Sequence, residues 1–385
     1  MYRFHLIAFT IIIGIFFNSQ GLAENKKPND YYNPLDIRFE IGLNSGYVEN
    51  LLNDSTNIED SYSVVNARAF LYPHSNIELS LYTNYNYYGK LYELSNSVVG
   101  VGGTFILAGN SSPLTLLLSV DFNGRSYREN YMEFDNNNFS LISSAGYKWG
   151  SIFIRSGLSI KTTAYRYSQT ADRESYEFFA GTNVILPGSN SLDIEAGYSV
   201  MDFSFISDTV EFLFFPPFEN WTYKDYHTKG SLNSFYISPR LSRPIGSKNG
   251  ISFTFNLRRF SNGDDKVVIG SALNFISPWA NIYEGQSYVL NFKTYMIPHA
   301  VLSVGAGYWK KTFLKTHIDD FIPVNESQKR YDEQNRLYVN LERPWPVGGS
   351  FLRPVLSFEY SHNNSSFNIY DYSGVTVSLG IMYKF

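Results

Sequence analysis

Hydrophobic and polar residues alternate along most of this chain of 385 residues. The clearest case is the final segment, Tyr372 to Phe385, where apolar residues take almost every second position and Thr, Ser, Gly and Lys lie between them. Met382 is the one exception. A period of two places successive side chains on opposite faces of a β-strand. The segment therefore predicts a strand with one apolar face and one small or polar face.

The same alternation recurs throughout residues 36–385. In one segment Ile77, Leu79 and Leu81 alternate with polar residues such as Glu78. Helical periodicity is nearly absent, which argues against α/β and all-α folds. Connections between the predicted strands alternate between short turns rich in Pro, Gly, Ser and Asn and long polar loops. Strands of roughly 9–11 residues or more are long enough to cross a bilayer when tilted.

These features predict an all-β fold, a transmembrane antiparallel up-and-down β-barrel that spans residues 36–385. A literal count gives about 17 strands, whereas a bacterial single-chain barrel has an even number. We therefore predict about 16 strands, with about 14 or 18 as alternatives. The error in the count is expected between Val267 and Met296, where one connection is too long for a turn and too short for another strand.

The last strand resembles the C-terminal strand of Gram-negative outer-membrane β-barrel proteins of the porin-like class. The resemblance rests on the alternating residues and on the aromatic residues Tyr383 and Phe385 at the chain end. It implies that these two residues belong to a signal read by the barrel-insertion machinery. An edge strand of a soluble β-sandwich is the alternative interpretation of this segment.

The N-terminus predicts export from the cytoplasm. Arg3 precedes an apolar run at residues 6–17, and small residues lead to Ala23. This order is typical of a secretory signal peptide, which we place at residues 1–23. The apolar run is shorter than the ~20 residues of a transmembrane helix, although an uncleaved anchor is an alternative. Residues 24–35 are predicted to be a short periplasmic lead-in, and the mature protein is expected in the outer membrane.

Composition narrows the possible functions further. The chain has no Cys, which excludes disulfides and Cys-ligated metals. A net charge of -4 and a pI near 5.9 indicate no broad basic face for nucleic acid. Aromatic residues make up 17% of the chain, as aromatic girdles at both membrane interfaces would require. The mean hydropathy of -0.21 suits strands of which one face meets water.

The polar face of the predicted strands carries nearly all of their charged residues. An Arg or Lys facing lipid would cost ~2–4 kcal/mol at the middle of the bilayer, so this face is expected to line the lumen. A barrel of about 16 strands can enclose an aqueous channel. The near balance of positive and negative residues predicts weak ion selectivity unless the two sets lie on opposite walls. An alternative is that the charges pair across a lumen filled by loops. The predicted pore-lining residues are Arg38, Glu40, Arg68, Glu78, Asp121, Arg155, Lys161, Glu177, Asp193, Glu195, Arg240, Arg258, Lys293, Arg336 and Glu359.

The longest aromatic-rich connection is Ile206 to Gly230. Large aromatic side chains in an external loop should not meet water without a reason. The loop is predicted to narrow the barrel mouth or to contact lipopolysaccharide, a glycan or a protein partner. A third interpretation is that strands extend beyond the membrane and pack these side chains together. The residues concerned are Phe212, Phe214, Phe215, Phe218 and Trp221.

The sequence contains no recognisable catalytic or cofactor motif. None of the His residues lies in a pattern resembling an outer-membrane phospholipase or lipid A deacylase, and His317 to Asp320 lacks calcium-loop spacing. We therefore predict no enzyme and no cofactor. The predicted function is passive diffusion of small hydrophilic solutes. The expected partners are outer-membrane lipid, lipopolysaccharide and the insertion machinery, and a homo-oligomer is possible. The alternatives are a binding, assembly or export role and, less favoured, a lipid-modifying enzyme.

Overall fold

The structure is a computed structural model. It describes residues 36–53, 55–108, 113–167, 172–203, 209–211, 222–224, 230–262, 268–269, 282–297, 300–316, 328–347 and 350–385. The predicted signal peptide and lead-in, residues 1–35, lie outside the described residues.

The described residues form twenty strands, four of which have only two or three residues. In chain order the strands are β1 (Asp36–Val48), β2 (Asp60–His74), β3 (Ile77–Tyr88), β4 (Asn96–Ala108), β5 (Leu114–Tyr127), β6 (Asn136–Trp149), β7 (Ile152–Tyr165), β8 (Arg173–Leu186), β9 (Asn190–Phe203), β10 (Thr209–Glu211), β11 (Thr222–Lys224), β12 (Ser231–Ile245), β13 (Asn249–Asn262), β14 (Val268–Ile269), β15 (Tyr283–Ile297), β16 (Ala300–Thr316), β17 (Gln328–Glu342), β18 (Trp345–Val347), β19 (Ser350–Ser365) and β20 (Tyr372–Lys384). Short 3₁₀ turns occur at Tyr92–Leu94, Glu129–Phe134, Pro187–Ser189 and Asn368–Tyr370. No helix in the described part of the chain is long and apolar enough to span a membrane.

The sixteen long strands form one closed antiparallel barrel, as predicted. Each pairs with its two neighbours in sequence order, and β20 pairs with β1 to close the ring. Leu43 lies opposite Ile381 at this junction. At the end of this junction, Phe39 of β1 and Phe385, the residue after β20, exchange two backbone hydrogen bonds of 2.8 and 3.0 Å. Their rings stack with centroids 5.5 Å apart. The terminal aromatic residue thus helps to close the barrel.

The extra strand of the literal count lies where the error was expected. In the expected interval from Val267 to Met296, the only described strand besides β15 is the short β14, which consists of Val268 and Ile269. It pairs in parallel with the end of β16, and β13 pairs directly with β15. Two residues rise only ~7 Å, so β14 cannot span a bilayer and is an accessory to the barrel. Residues 270–281 lie outside the described residues.

Connections alternate between short and long around the barrel. Two- and three-residue turns join β2 to β3, β6 to β7 and β12 to β13, whereas β1, β3, β5 and β7 are followed by longer loops. Gly150 and Gly246 allow two of the short turns because they adopt positive φ angles of 58° and 64°. The connection from β17 to β19 is longer than the other turns on its side because β18 folds back on β19.

Large apolar side chains lie mainly on the outer face of the barrel. Leu158, Phe178 and Leu379, for example, are 56%, 54% and 59% exposed. The inner face alternates with them and is mostly polar. The outer face is therefore the surface that would be buried by lipid.

Candidate functional site

Contacts that pass over an intervening strand identify the inner face of the barrel. The Tyr82 hydroxyl on β3 donates to Asp121 on β5 at 2.8 Å, across β4. Arg155 on β7 pairs with Glu195 on β9 at 2.5 Å, across β8. Side chains converge on the concave side of a curved sheet, so these contacts mark the lumen wall. By strand register, every predicted pore-lining residue shares this face.

Tyrosines on the inner wall lie flat over glycines of the neighbouring strand. A Cβ atom at Gly100 would collide with the ring of Tyr82. The glycine thus provides the space that lets the ring lie along the wall and its hydroxyl reach the next strand. Three pairs share this arrangement, namely Tyr82 over Gly100, Tyr236 over Gly197 and Tyr338 over Gly305. These tyrosines are not among the site residues predicted from the sequence, although their positions on the polar face of the strands were a signal.

Each predicted inward carboxylate has a described partner on the wall. Tyr236, for example, donates to Glu195 at 3.0 Å and to Glu177 at 3.2 Å. These hydrogen bonds tie the acidic side chains to neighbouring strands of the wall. The remaining partners are Lys384 for Glu40, Tyr72 for Glu78, Tyr82 and Asn123 for Asp121, Asn183 for Asp193, Arg155 for Glu195 and Arg336 for Glu359.

The predicted inward cations differ in their surroundings. Arg155 and Arg336 form ion pairs with carboxylates. The Arg68 guanidinium instead lies over the rings of Tyr82 and Phe70, 5.0 and 5.6 Å from their centroids. Within the described part of the chain, no carboxylate pairs with a further group of exposed cations. This group comprises Lys161, Arg240, Arg258 and Lys293.

A buried network lies on the inner face near the ends of β16, β17 and β19 that adjoin the long loops. The Arg330 guanidinium lies 3.5 Å from the Phe313 centroid and 4.0 Å from the Tyr370 centroid. It pairs with Asp332 at 3.2 Å, and the two side chains are 8% and 5% exposed. Asp332 also accepts the Ser365 hydroxyl hydrogen bond at 2.7 Å. This network joins three strands and was not predicted from the sequence.

The same side chain–backbone hydrogen bond joins the two ends of four long loops. The residue just before the second strand accepts a hydrogen bond from the backbone N–H of the last residue in the first strand. Burial raises the pKa of one of these acceptors, Asp135, while the Tyr127 N–H and the Arg166 guanidinium 4.0 Å away oppose the shift. The acceptor and donor pairs are Ser95 and Tyr88, Asp135 and Tyr127, Asp172 and Tyr165, and Asp371 and Ser365.

The first three long loops also pack together. Leu51, Leu52 and Leu94 are buried in a hydrophobic cluster with Tyr131 and Phe134. Beside this cluster, the Glu59 carboxylate accepts hydrogen bonds that lower its pKa. The donors are the Lys90 ammonium and the Tyr47 hydroxyl. These loops therefore form an ordered surface above β1 to β6.

The predicted constriction residues Phe212, Phe214, Phe215, Phe218 and Trp221 lie outside the described residues. The described backbone on either side forms a short hairpin, in which Thr209 of β10 lies opposite Lys224 of β11.

Solved structures with a similar fold include outer-membrane barrels. CdiB from Acinetobacter baumannii has a TM-score of 0.50 at 10% identity, and the match covers 90% of this chain and 60% of CdiB. OccAB1 from Acinetobacter baumannii has a TM-score of 0.48 at 10% identity, with 94% of this chain and 99% of OccAB1 covered. OmpT, an outer membrane protein of Vibrio cholerae, has a TM-score of 0.41 at 10% identity, with 94% and 100% covered. Neither a protein-family model nor a curated protein matches the chain. At these identities the comparisons bear on the fold alone.

Proposed function

We propose that this protein is an outer-membrane channel through which small hydrophilic solutes diffuse. The observation that carries the proposal is that charged side chains on the inner wall are exposed. The side chains of the ion pair between Arg155 and Glu195 are 42% and 27% exposed, and those of Arg336 and Glu359 are 43% and 44% exposed. Charged groups in an interior packed with protein would be buried. Sixteen strands can enclose an aqueous channel of this kind.

The proposal assigns roles to the residues predicted from the sequence. The inward charged residues line the pore, and residues 212–221 narrow its external mouth. Residues 1–23 direct export, and the barrel-insertion machinery reads the terminal strand with Tyr383 and Phe385. Lipid and lipopolysaccharide cover the apolar outer face.

Planar-bilayer conductance of the refolded, full-length mature protein tests the channel directly. A heat-modifiable gel shift would first establish that the barrel is folded. Stable current steps of uniform size are expected. A folded barrel that gives no current at any applied voltage would overturn the channel proposal.

One observation bears on the alternative of a lipid-modifying enzyme. On the outer face, strand register places His362 beside both Asn335 and Ser373, and all three side chains are exposed. Nucleophilic catalysis needs a serine and a base within about 2.6–3.2 Å, and no hydrogen bond joins these three side chains among the described contacts. That these three residues are not catalytic stays a prediction. Hydrolysis of a phospholipid ester that is lost in His362→Ala would contradict it.

A further inference from the structure

Nine carboxylates on the inner wall are either paired with cations or hydrogen-bonded to neutral side chains of the wall. Glu40, Glu195, Asp332, Glu342 and Glu359 form ion pairs. Four more inward carboxylates accept hydrogen bonds from neutral Tyr or Asn side chains and are half-buried. These four are Glu78, Asp121, Glu177 and Asp193.

Inward cations outside ion pairs are more accessible than these carboxylates. Arg and Lys side chains are longer than Asp and Glu side chains, and no described carboxylate pulls these ones back to the wall. Their charged ends therefore form more of the surface that a solute meets. The exposed inward cations without a described carboxylate partner are Arg68, Arg125, Lys148, Lys161, Arg240, Arg258 and Lys293.

The two signs are also separated around the barrel. The four consecutive barrel strands β12, β13, β15 and β16 contain a single carboxylate, Glu284. It pairs at 3.8 Å with Arg259, on the outer face of β13. We call Arg240, Arg258 and Lys293, which lie on the inner face of these strands, the basic wall. The nearest inward carboxylate by register is Asp193, opposite Arg240 at the edge of the wall on β9.

The basic wall extends along the pore. Measured along β13, the three cations lie at successive positions four residues apart. Arg258 is on β13 itself, Arg240 lies opposite Thr254, and Lys293 lies opposite Gly250. Four residues of a strand span roughly 13 Å. Between the positions of Arg258 and Arg240, the inner face carries neutral side chains that hydrogen-bond to one another. Asn256 accepts a hydrogen bond from Ser238 and donates one to Ser287.

We propose that the basic wall makes this pore selective for small anions such as chloride, phosphate and short carboxylates. The inference rests on the proposed channel function and names its solute class. A single unneutralised charge changes the free energy of an ion ~7 Å away in water by about RT, a factor of about 2.7 in local concentration. The three cations in series favour anions over cations at successive levels of the pore, least at Arg240, which lies opposite Asp193. The even balance of signs in the sequence would by itself predict no such preference.

The reversal potential across a bilayer with a KCl gradient tests the proposal. The wild-type pore is expected to be more permeable to chloride than to potassium. The preference should be strongest near 0.01 M salt, where the Debye length is about 30 Å, and should fade near 1 M, where it is about 3 Å. Replacing the three cations of the basic wall by Gln should lower the permeability ratio several-fold without loss of single-channel current.

Adjacent residues on β13 provide a matched control. Arg258→Gln removes an inward cation with no described carboxylate partner, whereas Arg259→Gln removes an outer-face cation of an ion pair. Only the first change is expected to lower the chloride preference. A conducting wild-type pore that prefers potassium, or a triple variant with the wild-type ratio, would overturn the anion preference and leave the channel intact. A folded barrel without current would overturn both proposals.

Discussion

Substitution of Arg330 is expected to destabilise the barrel far more than substitution of an exposed inward arginine. In Arg330→Ala, Asp332 would lose its ion-pair partner while it is only 5% exposed. Removing one member of a buried ion pair costs about 3–5 kcal/mol because the remaining charge is uncompensated. The change also removes contacts with the rings of Phe313 and Tyr370, each contributing about 0.5–2 kcal/mol. We therefore expect a loss of at least about 3 kcal/mol.

Arg336→Ala is the matched control on the same strand and face. Its pair with Glu359 is 3.7 Å long, and both side chains are more than 40% exposed. The Arg336 guanidinium also lies 5.6 Å from the Trp309 centroid, so a loss of about 0–2 kcal/mol is expected, still below that of Arg330→Ala. Reversible denaturant unfolding in lipid vesicles, followed by tryptophan fluorescence, gives both values. A double variant with Arg330→Ala and Asp332→Ala should recover part of the stability, since it removes the stranded charge. Equal losses for Arg330→Ala and Arg336→Ala would refute the reasoning.

Three further predictions follow from the wall and the loops. Gly100→Val should displace the Tyr82 ring and cost about 1–3 kcal/mol, the range for overpacking, measured by the same unfolding assay, whereas Tyr82→Phe should cost less. Asp135→Ala should cost about 1–3 kcal/mol because the Tyr127 N–H loses its acceptor. Because burial raises the pKa of Asp135, the stability of wild type relative to Asp135→Asn should fall as pH rises from the ordinary Asp value through the raised one. Deletion of Phe212 to Trp221 should raise single-channel conductance if this loop narrows the mouth, and an unchanged conductance would remove that role.

Strand class and facing could be predicted from the sequence because the period of two is a local property. Alternate residues of an extended chain point to opposite sides whatever the strand pairs with. The inward position of Arg258 and the outer position of its neighbour Arg259 illustrate this. The strand count needed only one correction, at Val268 and Ile269, where the short strand pairs in parallel with β16 and does not take a place in the barrel between β13 and β15.

The partners of each inward charge could not be predicted, because they come from other strands. Arg155 and Glu195 are 40 residues apart, and Tyr236 and Glu177 are 59 residues apart. Such contacts exist only after the barrel curves and register is fixed, when a glycine lets a long side chain reach across a strand. Sequence alternation by itself therefore determined the barrel and its polar inner face. Only the tertiary structure decided which carboxylates are paired or hydrogen-bonded, and which cations are left exposed on the inner face.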